Sequence, residues 1–466
     1  MKMQLPELLM PGGSLEKIQV AFRYGADAVY CGCPMFSLRT RENNVTEEDM
    51  KKVVALARKL NKKVYVTVNA FPHQFLIKML EKHFKFLEEL KPDGIIFADI
   101  GVLAVANEFA PSIEKHLSVQ TSTMNIPAIK TWWDLGVRRV ICAREMAIRE
   151  VAIIHKMMPE MEFEYFVHGA VCMAYSGRCI LSSFTGGRDA NCGACNHTCR
   201  WNYQVYDDDG RKVNVAEHFE NADKVQTGGC GCGKSKAKDL REFEGVEFAE
   251  EELRQDQMIP IEQDFHGTHI MSSRDMCMIE YLKDIQAGGV CSLKVEGRNK
   301  TPYYVATVAR AYREALDNLA AGKEFDPVLW EEIHATANRG FFPGFLRGKP
   351  EKGDIQYEGN QSTCHKEFCG VVTKCENGRI EFIAKNRIET GAEVEFVMSQ
   401  RVDDFMVTAT DFKFGEESVE VLHGGNTNKV ASFACEKEVP VGTFIRQKTK
   451  NPSLKPREAA AASYAV

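Results

Sequence analysis

The sequence predicts an α/β fold: a TIM-type (β/α)8 barrel with a long cysteine-rich insertion after strand 7, plus a small C-terminal antiparallel β barrel. Three observations support this prediction. A helix-like segment, a glycine and a short apolar run recur within the first 300 residues of the 466-residue chain. About 120 residues separate the seventh apolar run from the eighth. Alternating apolar and polar residues replace this pattern after residue 367.

Eight candidate strands follow the repeating pattern in order. The glycines at the joints, such as Gly25 and Gly136, suit the left-handed residue that follows a helix, and the runs after them are apolar throughout, as in a parallel strand covered on both faces. Ser14 is the expected N-cap of the first helix, which the pattern extends to Tyr24. The predicted strands span 7–11, 28–32, 63–69, 94–99, 117–121, 138–143, 163–168 and 292–297.

Domain boundaries follow from the same patterns. The barrel is predicted over 1–340, with the insertion at about 183–265, and half of the 16 cysteines lie between residues 172 and 277. After the barrel, Asn377-Gly378 is the expected turn of a β hairpin, because both residues readily adopt positive φ. We predict a linker at 341–363, a β-barrel domain at 364–450 and a tail at 451–466.

Composition indicates a cytoplasmic globular protein. The chain has 44% hydrophobic and 27% charged residues, no apolar stretch of membrane-spanning length and no N-terminal apolar core of signal-peptide length. In a reducing cytoplasm, clustered cysteines bind metal or do chemistry more often than they form disulfides. Because the net charge is -6, a nucleic-acid partner would need a local cationic patch. Candidates for this patch are Lys294, Arg298, Lys300, Arg446, Lys448, Lys450, Lys455 and Arg457.

Polar residues follow nearly every predicted strand. Since the active site of a TIM barrel lies at the C-terminal ends of its strands, their convergence predicts a polar substrate pocket. An arginine there could bind a carboxylate through two hydrogen bonds, although Arg144 and Glu145 could equally form a structural pair. These strand-end residues are Cys31, Cys33, Asn69, Asp99, Gln120, Thr121, Ser122, Asn125, Arg144, Glu145, His168, Glu296 and Arg298.

The cysteines that follow the seventh strand are clustered like metal ligands. Several thiolates can hold either a tetrahedral zinc ion or an iron–sulfur cluster. A Cys172 nucleophile with His168 as its base is a further alternative. The phosphate-loop pattern at 228–235 (GGCGCGKS) is rejected, because polar residues precede it where that motif needs a buried strand. The clustered cysteines are Cys172, Cys179, Cys192, Cys195 and Cys199, with Cys230 and Cys232 as further zinc candidates.

These residues carry a resemblance to a known family. The run EYFVHGAVC at 164–172, followed by Gly177, Cys179 and Ser182, resembles the motif of the family U32 peptidases, the collagenase-like proteins. The segments SVQTSTMN, ACNHTCRWNY, GTHIMSSRDMC and SLKVEGRNKTPYYVATVARAYR resemble the tRNA-hydroxylating branch of that family over nearly the whole chain.

The resemblance implies an enzyme that modifies tRNA and not a protease. Bacterial members of this branch convert the wobble uridine of certain tRNAs to 5-hydroxyuridine without molecular oxygen and depend on prephenate. The implied partners are the anticodon region of tRNA, a small anionic metabolite and the iron–sulfur assembly machinery. Alternatives within the family are hydroxylation of ribosomal RNA or of a quinone precursor, and peptidase or collagenase activity. The target base would have to flip into the barrel mouth, because C5 cannot be reached in a stacked anticodon.

The resemblance also assigns site residues. The implied ligands of a 4Fe-4S cluster are Cys172, Cys179, Cys195 and Cys199. The fourth ligand stays open, because Cys31, Cys33, Cys192, Cys230 and Cys232 are additional thiols. We assign catalytic roles to His168, Asn69, Gln120, Arg144, Glu296 and Arg298, and binding of the co-substrate to Asn125 and Arg274.

Overall fold

The computed structural model describes residues 5–37, 45–171, 274–348, 362–424 and 430–449, together with four short strands between 248 and 269. The predicted alternation of strands and helices is confirmed over the first part of the chain. In order, the elements are β1 (Glu7–Pro11), α1 (Leu15–Arg23), β2 (Ala28–Cys31), α2 (Glu47–Lys59), β3 (Lys63–Val68), α3 (Ile77–Leu90), β4 (Gly94–Phe97), α4 (Ile100–Phe109), β5 (Glu114–Leu117), α5 (Ile126–Asp134), β6 (Arg139–Ile141), α6 (Ile148–Met157) and β7 (Glu162–Gly169).

Further strands and helices follow β7 in the chain, and one of these strands closes the barrel. They are β8 (Phe248–Glu250), β9 (Met258–Pro260), β10 (Glu262–Asp264), β11 (Gly267–His269), β12 (Asp275–Cys277), α7 (Leu282–Ala287), β13 (Ser292–Val295), α8 (Pro302–Ala320), α9 (Val328–His334) and β14 (Phe341–Phe342). Strands β1 to β7 pair in parallel with their sequence neighbours, and β13 pairs in parallel with both β7 and β1. The eight parallel strands therefore form a closed barrel, as predicted.

Local sequence explains why the first helix begins where it does. The Ser14 side chain accepts a hydrogen bond from the Lys17 amide, and the last helical residue is followed by Tyr24 at the C-cap, as the pattern predicts. Gly25 then adopts φ +107, in the left-handed region that favours glycine. The predicted N-cap and glycine joint of this unit are both confirmed.

Two sequence predictions differ from the structure. The fifth strand is Glu114–Leu117, and Val119–Thr121, which lies in the predicted strand at 117–121, forms a short 3-10 helix. The charged residue Lys115 is buried in this strand, where its ammonium group donates to the Ala110 carbonyl oxygen, so hydropathy did not reveal the strand. The predicted linker at 341–363 begins with β14, which pairs in parallel with β12 and extends the barrel sheet.

The barrel interior contains charged side chains in addition to apolar ones. Lys294 on β13 and Glu164 on β7 form an ion pair with 2.6 Å between Nζ and Oε1, and both side chains are buried. Arg139 on β6 lies 3.5 Å from the second Glu164 oxygen and 2.6 Å from a Glu7 oxygen on β1. These contacts connect four strands across the interior, where TIM barrels usually pack branched apolar residues.

The C-terminal domain is a curled antiparallel sheet with its own apolar core. Asn377 and Gly378 have φ values of 52 and 69, which confirms the predicted hairpin turn between its first two strands. Irregularities in the pairing of the first strand, between Val372 and Lys374 and between Phe368 and Gly370, bend the sheet. The strands of the domain are β15 (Lys366–Glu376), β16 (Arg379–Ala384), β17 (Ile388–Glu389), β18 (Glu393–Val397), β19 (Phe405–Thr408), β20 (Lys413–Phe414), β21 (Glu417–Ser418), β22 (Val421–Leu422), β23 (Ala431–Ala434) and β24 (Phe444–Lys448). Strands β17 and β22 pair with each other in a separate two-stranded sheet.

A buried cluster of charges joins this domain to the barrel. Arg446 on β24 donates to both carboxylate oxygens of Glu332 on α9, at 3.1 and 2.9 Å, and to Glu395 on β18 at 2.6 Å. Arg310 on α8 pairs with Glu332 at 2.7 Å and with Asp404 at 2.8 Å. Because each carboxylate of the cluster faces a guanidinium, burial of these charges is compensated across the domain boundary.

The cluster and the barrel interior correct part of the predicted phosphate-binding patch. Arg446, Lys294 and Arg298 are only 3, 4 and 4% exposed and therefore do not form a surface for phosphates. Lys448 is exposed, while Lys450, Lys455 and Arg457 lie outside the described residues. Within the described ranges, no helix combines the length and the apolar character needed to cross a bilayer.

Candidate active site at the barrel mouth

The structure brings together the predicted amides at the ends of β3 and β5. The Asn69 Nδ2 donates to the Gln120 Oε1 at 2.7 Å, and the Gln120 Nε2 donates back to the Asn69 carbonyl oxygen at 3.2 Å. The Ser118 hydroxyl also donates to the Gln120 Oε1, at 3.0 Å. These contacts fix both carboxamides at the mouth, as sites that bind polar ligands require.

Arg298 lies at the mouth between β13 and the ends of β2 and β3. Its guanidinium donates to the Ser37 hydroxyl at 2.8 Å and to the Thr67 hydroxyl at 3.4 Å, and these two hydroxyls lie 2.7 Å apart. The Lys17 ammonium donates to the Arg298 carbonyl oxygen at 3.1 Å, and its pKa is lowered by burial. A Cβ atom at Gly32 would lie 2.2 Å from the Ser37 oxygen, so only glycine leaves room for this arrangement. Two cations therefore meet at this point of the mouth.

Arg144 and Glu296 form an ion pair between the ends of β6 and β13, with 3.2 Å between the Arg144 Nη2 and the Glu296 Oε2. The Arg144 guanidinium carbon also lies 3.9 Å from the centroid of the Phe166 ring, which holds the guanidinium plane by a cation–π contact. One partner of Arg144 is thus Glu296, a predicted site residue that follows another strand.

His168 lies at an irregularity of β7 and faces the helical layer. Phe166 pairs with Lys294 and His168 pairs with Val295, so β7 has one more residue than β13 at this point. This bulge changes the face of the sheet to which the following side chains of β7 point. The imidazole packs against Tyr312 and Tyr304 of α8, with ring centroids 5.6 and 6.0 Å apart. Burial lowers the pKa of His168 to about 3, so the imidazole is neutral.

A small cleft adjoins His168 where β7 ends. Its walls include Asp275, Lys300, Tyr304 and Asn338. Gly169 has φ +109, and a Cβ atom there would lie 2.7 Å from the Glu296 carbonyl oxygen. Glycine is therefore required where the chain leaves β7 towards the predicted cysteine ligands.

The two residues predicted to bind the co-substrate, Asn125 and Arg274, lie next to different elements, Asn125 before α5 and Arg274 before β12. The Asn125 Oδ1 accepts the Ala128 amide at 3.0 Å and thereby caps α5, and Asn125 is exposed. Arg274 immediately precedes β12, and its side chain passes 3.6 Å from a Cβ position at Gly340. The structure thus gives Asn125 a helix-capping contact, and its role in binding stays a prediction.

The predicted cluster ligands Cys172, Cys179, Cys195 and Cys199 lie outside the described residues, as do Cys192, Cys230 and Cys232. The last described residue before them, Val171, follows the C-terminal end of β7 at the barrel mouth. In the described part of the chain, no group of three or more histidine, cysteine, aspartate or glutamate residues is arranged to hold a metal ion.

Cys31 points away from the barrel interior, and a ligand role for Cys33 stays a prediction. Tyr30 points into the barrel, where its ring contacts the Lys294 ammonium at 4.3 Å, so the next residue on β2, Cys31, points outward. The Cys31 sulfur lies 3.7 Å from the Met50 sulfur on α2. Burial raises the pKa of Cys31 and of Cys33 to about 12, which keeps both thiols protonated.

The sequence interpretation missed three residues of the mouth. Thr67 could have been found, because it lies two positions before Asn69 and shares its face of the strand. Ser37 and Lys17 carry no local signal, since their contacts with Arg298 join positions 261 and 281 residues apart.

The described geometry defines a class of protein: a TIM barrel whose mouth gathers amides, hydroxyls and guanidinium groups suited to a polar or anionic ligand. Comparison with known proteins identifies the family. The model described as peptidase family U32 matches residues 13–356, and the chain belongs to this family.

Three curated relatives illustrate what the chain is similar to. It is 39% identical over 412 residues to tRNA hydroxylation protein P of Haemophilus influenzae, covering 86% of this chain and 88% of that protein. It is 38% identical over 417 residues to tRNA hydroxylation protein P of Escherichia coli, covering 88 and 90%. It is 28% identical over 358 residues to the 23S rRNA 5-hydroxycytidine C2501 synthase of Escherichia coli, covering 75% of this chain and 46% of that protein.

Proposed function

We propose that this protein hydroxylates tRNA, converting the wobble uridine to 5-hydroxyuridine. The observation that carries the proposal is the similarity, over 86 and 88% of this chain, to two proteins named for tRNA hydroxylation. The mouth is consistent with this role, because fixed amides such as Asn69 and Gln120 can hydrogen-bond the edge of a flipped pyrimidine.

The co-substrate in this proposal is prephenate, a small dicarboxylate. Arg298 and Arg144 are the candidate groups for its carboxylates, because a guanidinium binds a carboxylate through two parallel hydrogen bonds. Arg298 donates to the Ser37 and Thr67 hydroxyls, which are neutral groups. Arg144 instead faces the Glu296 carboxylate, so a bound anion there would compete with this ion pair.

The proposed cofactor is a 4Fe-4S cluster held by Cys172, Cys179, Cys195 and Cys199. Four thiolates are the donor set that such a cluster takes, and the segment that carries them follows Val171 at the mouth. A bound cluster of this kind would supply electron-transfer chemistry. In the proposal the reaction does not use molecular oxygen.

The decisive experiment is deletion of the gene followed by mass spectrometry of nucleosides from bulk tRNA and from ribosomal RNA. We expect loss of 5-hydroxyuridine and its derivatives from tRNA, with recovery on expression of the wild-type protein. Recovery should fail with Cys179→Ala and succeed with Cys375→Ala, a matched cysteine variant in the C-terminal domain.

Other outcomes would replace the proposal. Unchanged tRNA with loss of a hydroxylated base from ribosomal RNA would move the substrate to rRNA, and a changed quinone pool would move it to a quinone precursor. Cleavage of gelatin by the purified protein, abolished by Cys172→Ala, would indicate a peptidase.

A further inference from the structure

Exposed aromatic rings lie on the loop that follows β3 at the barrel mouth. Phe75 is 77% exposed and Phe71 is 40% exposed, although side chains of this size are normally buried. The His73 ring is stacked on Phe75, with 5.7 Å between centroids and 6° between planes. We call Phe71, His73 and Phe75 the aromatic loop.

The chemistry around the aromatic loop suits a nucleic acid. The helical segment that begins at Gln74 and continues into α3 has no side-chain cap from the described residues, and its first turns contain no acidic residue. Its N-terminal amides therefore carry partial positive charge, and Lys78 follows in the first turn of α3. Aromatic faces beside such groups can bind a base and its phosphate at once.

The position of the aromatic loop relates it to the candidate active site. Asn69, which holds Gln120, lies two residues before Phe71 on the same loop. In the closed ring of eight strands, β3 is four strands away from β7 in either direction, so the two strands are opposite each other. The carboxyl end of β7, which Val171 follows, and the aromatic loop therefore lie on opposite sides of the mouth.

We propose that the aromatic loop stacks an unpaired RNA base next to the base that enters the barrel. The proposal rests on the proposed function for the identity of the RNA and assigns it a contact surface. Stacking on a ring face is independent of base identity, so this surface would hold the anticodon loop while the amides of the mouth read the target base.

The test measures binding of an anticodon stem-loop RNA to the full-length protein by fluorescence anisotropy, with 2-aminopurine placed beside the target uridine. Phe75→Ala should weaken binding roughly 5- to 140-fold, because stacking of one base on an aromatic ring contributes about 1–3 kcal/mol. Phe75→Trp should retain affinity and quench 2-aminopurine. The matched control is Met157→Ala, which removes a 63% exposed apolar side chain at the end of α6, on the opposite face of the barrel.

The outcomes separate this proposal from the proposed function. If the wild type hydroxylates tRNA and Phe75→Ala binds and reacts equally well, the stacking proposal is wrong and the function stands. If Phe75→Ala loses RNA affinity but deletion of the gene leaves tRNA nucleosides unchanged, the stacking surface stands and the function is wrong. A Phe75→Ala protein with lowered thermal stability and unchanged RNA affinity would show that another part of this chain covers the ring, which also overturns the proposal.

Discussion

The ion pair inside the barrel gives the sharpest prediction about stability. Lys294 and Glu164 lie 2.6 Å apart with both side chains buried, and Arg139 approaches the second Glu164 oxygen at 3.5 Å. Burial alone would raise the pKa of Glu164, but the charges of Lys294 and Arg139 outweigh it and hold the pKa below its usual range. Glu164 is therefore a buried carboxylate that depends on its cationic partners.

The distance allows the magnitude to be worked out. Two unit charges at 2.6 Å attract by about 6 kcal/mol at an effective dielectric constant of about 20, and the cost of burying both charges offsets much of this attraction. Removing Lys294 leaves the buried Glu164 carboxylate with the more distant Arg139, so Lys294→Met should lower the free energy of unfolding by about 3–5 kcal/mol. The double variant Lys294→Met/Glu164→Gln should recover most of that loss, because no buried charge is then left without its partner.

The assay is urea denaturation of the wild type, both single variants and the double variant, with the barrel transition followed separately from that of the C-terminal domain. A loss below about 1 kcal/mol for Lys294→Met, or a double variant as unstable as Lys294→Met, would refute the reasoning. The pH dependence has a defined sign. Because the folded pKa of Glu164 is lowered, its contribution is present above the unfolded value near 4.5 and is lost as the pH falls through the folded value.

Three further predictions follow from buried groups and from the proposed cluster. Arg446→Met should lower the free energy of unfolding by about 3 kcal/mol, because it removes a partner of the buried Glu332. The dependence of RNA affinity on salt concentration should not change. A weaker dependence would instead place Arg446 on the RNA-binding surface. The Cys179→Ala protein, purified anaerobically, should lack the brown colour, the iron and the sulfide of the wild type. The control variant Cys277→Ala, which removes a buried thiol, should keep all three. Stoichiometric zinc without sulfide in the wild type would reject the cluster. His168 should stay neutral in NMR titrations down to about pH 4, because burial lowers its pKa from 6.5 to about 3. The contribution of the neutral imidazole to stability should be lost as the pH falls between those two values. An imidazole that titrates near 6.5 would contradict the burial of His168.

The sequence predicted the elements whose signals are local. The helix cap at Ser14 and the Asn377-Gly378 turn depend on residues within a few positions of each other, and both are present. Counting apolar runs gave the eight strands, because a parallel strand covered on both faces must be apolar along its length. The strand that was misplaced, β5, is the one that carries Lys115 and His116 in buried positions.

Candidate site residues were predicted because a TIM barrel collects its strand ends at one face, whatever the connecting sequences are. This general property brought Asn69 to Gln120 and Arg144 to Glu296 from positions 51 and 152 residues apart. The same property did not predict which way the His168 side chain points, because the bulge in β7 that sets its orientation depends on how β7 pairs with β13.

By itself, the sequence determined the repeating architecture, the order of the domains and the positions from which polar groups approach the mouth. Only the tertiary structure decided which charges face solvent. Lys294 and Arg446 have the side chains of surface cations, yet each is buried against glutamates, Glu164 for the first and Glu332 and Glu395 for the second. Whether a lysine or an arginine binds a phosphate or neutralises a buried carboxylate depends on partners that are distant in sequence, because the cost of burying a charge is met by contacts that form only when the chain is folded.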